Sequence, residues 1–204
     1  MEFTIQNALA IFYKDNNFGE DGGVTKKVAW IKFGFFSVPI PNAESRKKNV
    51  CFHDIGHLLT GYDTTWKGES AAASWEIASG GWGNFVFPWL LTLWAMGLGV
   101  VFYPKEVYRA FILGSSTRNP LGSNLKIEEL LKMTVSDLRM HLNRKEQNNK
   151  SMVFWFSISF LVFATPFFLG AVLAFEWWCF LQIKTLNSTI GYDAASELFD
   201  CIRQ

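Results

Sequence analysis

Histidine is almost missing from this chain, with 3 among 204 residues. Cysteine is equally rare. Cys51, Cys179 and Cys201 are odd in number and lack C-x-x-C spacing, so neither a disulfide framework nor a zinc knuckle is expected. Charge bias is absent too. The formal net charge is +1 and basic residues are interleaved with acidic ones, which gives no argument for a nucleic-acid partner. No basic leader opens the chain, and the apolar run Ala8 to Phe12 is short before Lys14 and Asp15, so the N-terminus is not read as a secretory signal. The shortage of imidazole also argues against a histidine-rich membrane di-iron enzyme, because His141 is the one histidine outside a single short segment.

That segment is His53-Asp54-Ile55-Gly56-His57, with Glu69 twelve residues further on. Residues four apart on a helix share a face one turn apart, so both rings can reach one ion. With Asp54 and Glu69 the neighbourhood offers imidazole and carboxylate, a mixture that zinc and ferrous iron both accept. The bland alternative is a core face marked by Ile55, Leu58 and Leu59, with both histidines merely hydrogen-bonded. A metalloprotease of the H-E-x-x-H type is disfavoured, because Asp54 stands where the general-base glutamate would be. Cys51, two residues before His53, reads as a small buried apolar residue. Glu76, seven residues after Glu69, falls on much the same helix face and reads either as a carboxylate supporting the ligands or as a surface acid.

The full pattern, H-D-x-x-H, eleven residues and E, resembles the signature of the Coq-four family of ubiquinone (coenzyme Q) biosynthesis proteins. The segments Leu58-Leu59-Thr60-Gly61-Tyr62-Asp63, Gly68-Glu69 and Ala73-Ser74-Trp75-Glu76 also resemble that family. So do Tyr108-Arg109-Ala110-Phe111 with Gly114, Ile127-Glu128-Glu129-Leu130-Leu131 and Val135-Ser136-Asp137-Leu138-Arg139. The resemblance covers roughly residues 25–142. It implies an all-α helical bundle, a divalent metal (zinc or iron) on His53, Asp54, His57 and Glu69, and an association with lipid. It further implies metal-dependent oxidative decarboxylation with hydroxylation of a polyprenylated benzenoid head group. Implied partners are a prenylated quinone precursor or similar lipid, other quinone-biosynthesis proteins and a second copy of the chain. The implied location is the cytoplasmic face of a bacterial inner membrane, or a mitochondrial inner membrane. One alternative is a non-catalytic scaffold that binds a quinone intermediate. Another is an HD-type phosphohydrolase, in which H-D-I-G-H is common; that fold takes a further ligand from an upstream histidine, and none precedes His53 here.

Along the chain, residues 1–24 read as an N-terminal segment with a short helical pattern (Ile5, Leu9, Phe12) and a glycine loop. Residues 25–150 read as the Coq-four-like domain. Within it, Val28 to Val38 is rich in β-branched and aromatic residues and reads as a strand or a buried helix. The basic triplet Arg46-Lys47-Lys48 reads as a solvated turn. Gly61 is the expected stop of the motif helix. The uncharged run 84–103 is expected to be a buried or membrane-dipping helix, with Phe85, Phe87, Trp89 and Leu93 lining a lipid pocket. His141 reads as a surface or capping residue. Residues 151–183 form the clearest membrane segment: Met152 to Phe175 carries no charge, follows Arg144, Lys145 and Lys150, and precedes Glu176-Trp177-Trp178. A single span is the simpler reading, although Pro166 would suit a re-entrant hairpin. Residues 184–204 are expected to be a short polar tail.

Overall fold

The run Ser70-Ala71-Ala72-Ala73-Ser74 is small on every side, and in the computed structural model it forms part of a deeply buried helix. A helix buried all round cannot be amphipathic, and this one has no polar face to spare; every residue from Ser70 to Ser79 is buried. The structure describes residues 3–33, 36–41, 44–144 and 146–202. In chain order these form α1 (Ile5–Asp15), β1 (Val28–Phe33), β2 (Phe36–Pro41), α2 (Glu44–Thr60), α3 (Trp66–Ser79) and α4 (Val86–Phe102). There follow α5 (Pro104–Ser115), a 3-10 turn (Pro120–Ser123), α6 (Ile127–Leu130), α7 (Val135–Leu142) and α8 (Met152–Ile202). The protein is thus mostly helical. The departure from all-α is a two-stranded antiparallel hairpin, Val28 paired with Pro41 and Phe33 with Phe36, so the β-branched and aromatic stretch is strand rather than buried helix. The side chains of the basic triplet Arg46-Lys47-Lys48 lie outside the described residues.

Two apolar clusters flank α3. One joins Ile5, Leu9 and Tyr13 of α1 to Ile55 and Leu59 of α2, Trp75 of α3, and Leu138 and Leu142 of α7. The other joins Ile77 of α3 to Met96 of α4 and to Val107 and Phe111 of α5. Close approach of α5 to α3 depends on Gly114, where a Cβ would sit 2.5 Å from the Trp75 carbonyl oxygen and 2.8 Å from the Ala78 Cβ. The C-terminal carbonyls of α3 are closed by the connector before α8. Lys150 donates to Ile77 O (2.5 Å), Asn148 to Ala78 O (3.1 Å) and Arg144 to Ser79 O (2.8 Å), and cations at this end also suit the helix dipole.

The chain divides into two units, Met1–Phe163 and Ala164–Gln204. The first unit reaches beyond residue 150 because the opening turns of α8 have partners in it. Trp155 stacks on Trp89 at 5.3 Å, Phe156 meets Phe111 edge-on at 5.9 Å, and Phe163 lies 5.4 Å from Trp94. In the second unit the helix continues unbroken through Pro166, so the run is not a re-entrant hairpin, and it extends to Ile202 rather than giving way to a short tail. Its segment Met152–Thr185 holds an 18-residue window of mean hydropathy 2.2 and is long and apolar enough to cross a membrane. At ~1.5 Å rise per residue it reaches roughly 50 Å, more than a hydrocarbon core of roughly 30 Å. The 84–103 run yields a shorter apolar helix, Val86–Phe102.

Candidate metal centre

Helix α2 ends at Gly61, whose φ of 75° lies in the left-handed region and whose N–H donates to the His57 carbonyl (2.8 Å). Five residues later α3 begins. Thr65 caps it, its hydroxyl accepting from Gly68 N (3.3 Å), and Asp63 Oδ1 in turn accepts from the Thr65 N–H and hydroxyl. This short turn reverses the chain and brings Glu69, in the first turn of α3, onto the histidine face of α2.

The i, i+4 spacing of His53 and His57 places their rings edge to face with centroids 4.7 Å apart. Their Nε2 atoms are 3.2 Å apart, and Glu69 Oε2 lies 3.3 Å from the first and 3.6 Å from the second. These three side chains form a group that could hold a metal ion. Their tautomers follow from the outer nitrogens. His57 Nδ1 lies 2.8 Å from the Tyr62 carbonyl oxygen, which can only accept, and His53 Nδ1 lies 2.7 Å from Glu76 Oε1. In both neutral rings Nδ1 therefore carries the proton and Nε2 presents a lone pair. Two lone pairs and a carboxylate oxygen then converge on one point and repel unless a proton or a cation lies among them.

The donor triangle fits a cation. For bonds of about 2.0–2.2 Å, neighbouring ligands of a tetrahedral ion are about 3.3–3.6 Å apart, and cis ligands of an octahedral ion about 2.8–3.1 Å. The observed edges of 3.2, 3.3 and 3.6 Å lie nearer the tetrahedral face. Both histidines also have the acceptor behind Nδ1 that orients metal-bound imidazoles. In the absence of an ion, protonation is the remaining solution. Burial opposes charge on His53, but Glu76 and Glu69 together raise its pKa well above the ordinary value. Burial likewise pushes the Glu69 carboxyl up, yet the two histidines beside it hold it far below the usual carboxylate range.

Exposure gives the site a direction. The His57 side chain is 1% exposed, whereas His53 and Glu69 are 29% and 28% exposed, so the site opens over His53 and Glu69. Phe12 of α1 closes the His57 side, its ring stacked at 5.7 Å.

Asp54 does not join the group of three. Adjacent helix residues diverge by about 100°, and its carboxyl group lies beside the Tyr13 hydroxyl of α1. Its Oδ2 is buried without a hydrogen-bond partner. Burial raises the Asp54 pKa against the lowering influence of the histidines. Glu76 is buried beside His53. Cys51 is half-buried, reduced and outside the metal group, and His141 is exposed in the last turn of α7. Of the four expected pocket residues, Phe85 and Phe87 are half-buried. Trp89 and Leu93 pack against the second apolar cluster, with Trp89 filled in by Trp155. Sequence reasoning missed Phe12, Tyr13, Thr92 and the Tyr62 carbonyl. Only Thr92 carried a signal, as the one aliphatic hydroxyl of the 84–103 run.

No protein-family model, curated protein or solved structure matches the chain.

Proposed function

We propose that this protein is a membrane-anchored, metal-dependent enzyme acting on the head group of a prenylated benzenoid, as in coenzyme Q biosynthesis. The observation that carries the metal is the convergence of His53 Nε2, His57 Nε2 and Glu69 Oε2, with both Nδ1 atoms already committed. Asp54 lies outside this group of three, so its part in the H-D-x-x-H motif rests on the family resemblance alone. Resemblance of the motif and its flanking segments to the Coq-four family supports the substrate class, and α8 supports the membrane.

A bound zinc or iron ion would supply Lewis acidity, and iron would in addition supply redox chemistry. His57 holds its position from the closed side, while His53 and Glu69 flank the open one, where the substrate head group would approach. Two histidines and one carboxylate leave coordination positions free, which suits a reactive site better than a closed structural one. In the reaction proposed, the ring carboxyl group leaves as carbon dioxide and water supplies the oxygen of the C–O bond that replaces the broken C–C bond. The two electrons and two protons released reduce dioxygen to hydrogen peroxide.

The test is incubation of the metal-loaded, detergent-solubilised protein with a prenylated hydroxybenzoate in air, followed by mass spectrometry. A metal-dependent product carrying hydroxyl in place of carboxyl supports the reading. Tight binding of the lipid with no turnover by the metal-loaded protein would leave the scaffold role. Metal-stimulated release of phosphate from a phosphate ester would point to a phosphohydrolase instead.

A further inference from the structure

We propose that Glu76 and Thr92 act as a positioning pair that holds His53 for the metal and ties the centre to the apolar helix α4. This rests on the metal-centre reading above. Glu76 is 3% exposed in a helix otherwise built from small and apolar side chains at that level. A carboxylate so placed is retained only if it is paired, and the charge-bearing group within reach is the His53 ring, 2.7 Å away. Its second oxygen, Oε2, accepts from the Thr92 hydroxyl at 3.3 Å, and that hydroxyl accepts from Trp82 Nε1 at 2.8 Å.

The direction of each bond follows from the donors. The indole can only donate, so the hydroxyl accepts from it and passes its single proton to Glu76. Glu76 therefore receives from Thr92 on one side and from His53 Nδ1 on the other, among side chains that are themselves buried, Trp82 at 4% and Thr92 at 6% exposed. Thr92 is the one hydroxyl in a helix that reads VFPWLLTLWAMGLGVVF. Packing alone would put Val or Leu there, because burying a hydroxyl costs free energy unless it finds a partner. A carboxylate behind the outer nitrogen fixes the ring orientation and makes Nε2 a better donor to an ion. Thr92 in turn fixes the carboxylate.

The test uses the full-length protein in detergent, loaded with cobalt(II) or zinc. It measures the rate of metal loss to an excess of chelator, the visible spectrum of the cobalt form and the melting temperature of the metal-free protein. Glu76→Ala is expected to speed metal loss about 10–100-fold, with Glu76→Gln intermediate. Thr92→Val should speed it severalfold and Thr92→Ser, which keeps the hydroxyl, should restore the wild-type rate; the cobalt bands should shift in Glu76→Gln. If Glu76→Ala does not fold, Glu76→Gln and the Val/Ser pair at Thr92 still decide the question. Glu76→Gln and Thr92→Val proteins that melt earlier but release metal at the wild-type rate, with unshifted cobalt bands, would overturn the proposal and leave a purely structural contact between α3 and α4. A wild-type protein that takes up no metal would overturn the metal-centre reading itself, and this proposal with it.

Discussion

Replacing Gly114 with alanine tests whether the fold places the site as described. In an ordinary exposed helix this change stabilises by about 1 kcal/mol, because alanine is the better helix former. Here the new methyl carbon would lie 2.5 Å from the Trp75 carbonyl oxygen, 2.8 Å from the Ala78 Cβ and 3.1 Å from the Trp75 Cα. Ordinary contacts need roughly 3.5–4.0 Å, and two of these neighbours are backbone atoms that cannot rotate away. Helices α3 and α5 must therefore move apart by roughly 1 Å, at an overpacking cost of about 1–3 kcal/mol. The cost exceeds the propensity gain over most of that range, so net destabilisation of up to about 2 kcal/mol is expected. For a unit of this size that corresponds to a fall of several degrees, at about 2–4 °C per kcal/mol. Because α3 also carries Glu69 and Glu76, the metal should be lost more readily as well. The assay is thermal unfolding of the purified protein with and without metal, beside Gly170→Ala, where a Cβ meets nothing within 4 Å. Gly114→Ala protein that melts at or above the wild-type temperature would refute the close-packing argument.

Three other outcomes can be checked with ordinary means. Tyr13→Phe removes the hydroxyl that lies beside the buried Asp54 carboxyl and should cost about 1–3 kcal/mol in denaturant unfolding; an unchanged midpoint would show that polar contact to be unimportant. Lys150, partly buried beside Trp89 and Trp155, has its pKa lowered to about 8 by burial and by Arg144. Its folded pKa therefore lies below its unfolded value, so the folded state sheds the proton first and stability rises between pH about 8 and 10.5. That rise should be smaller in Lys150→Met. On the membrane-anchored reading proposed above, paired Leu169→Arg and Leu173→Arg changes add about 5–7 kcal/mol to insertion at the middle of the apolar helix; alkali-resistant membrane association of the wild type, lost in the variant, is the expected result.

How much was legible in the sequence depends on which residues depend on chain neighbours and which on distant partners. The facing imidazoles follow from i, i+4 spacing alone, and Gly61 marks the end of α2 for a local steric reason. Glu69 is adjacent through a turn of five residues, close enough for a spacing pattern to register it. Asp54 sits between the histidines in sequence, yet its different direction on the helix takes it toward α1. The contribution of α1 was not readable, since Phe12 and Tyr13 reach the site from some forty residues away without any motif. Val28 to Val38 was ambiguous because a short apolar stretch suits strand and buried helix equally, and pairing with a second strand decided it. The tail after residue 184 reads as polar, yet α8 carries straight on through it.

The central claim is that His53, His57 and Glu69 hold an ion. The most direct test is the metal content, by plasma mass spectrometry, of the full-length protein purified in detergent without chelators, beside a His53→Ala/Glu69→Ala variant. About one zinc or iron per chain, lost in the variant, is the predicted result. Absence of stoichiometric metal in wild-type protein, even after incubation with zinc or ferrous iron, would contradict the account and leave the paired histidines as a protonated packing contact.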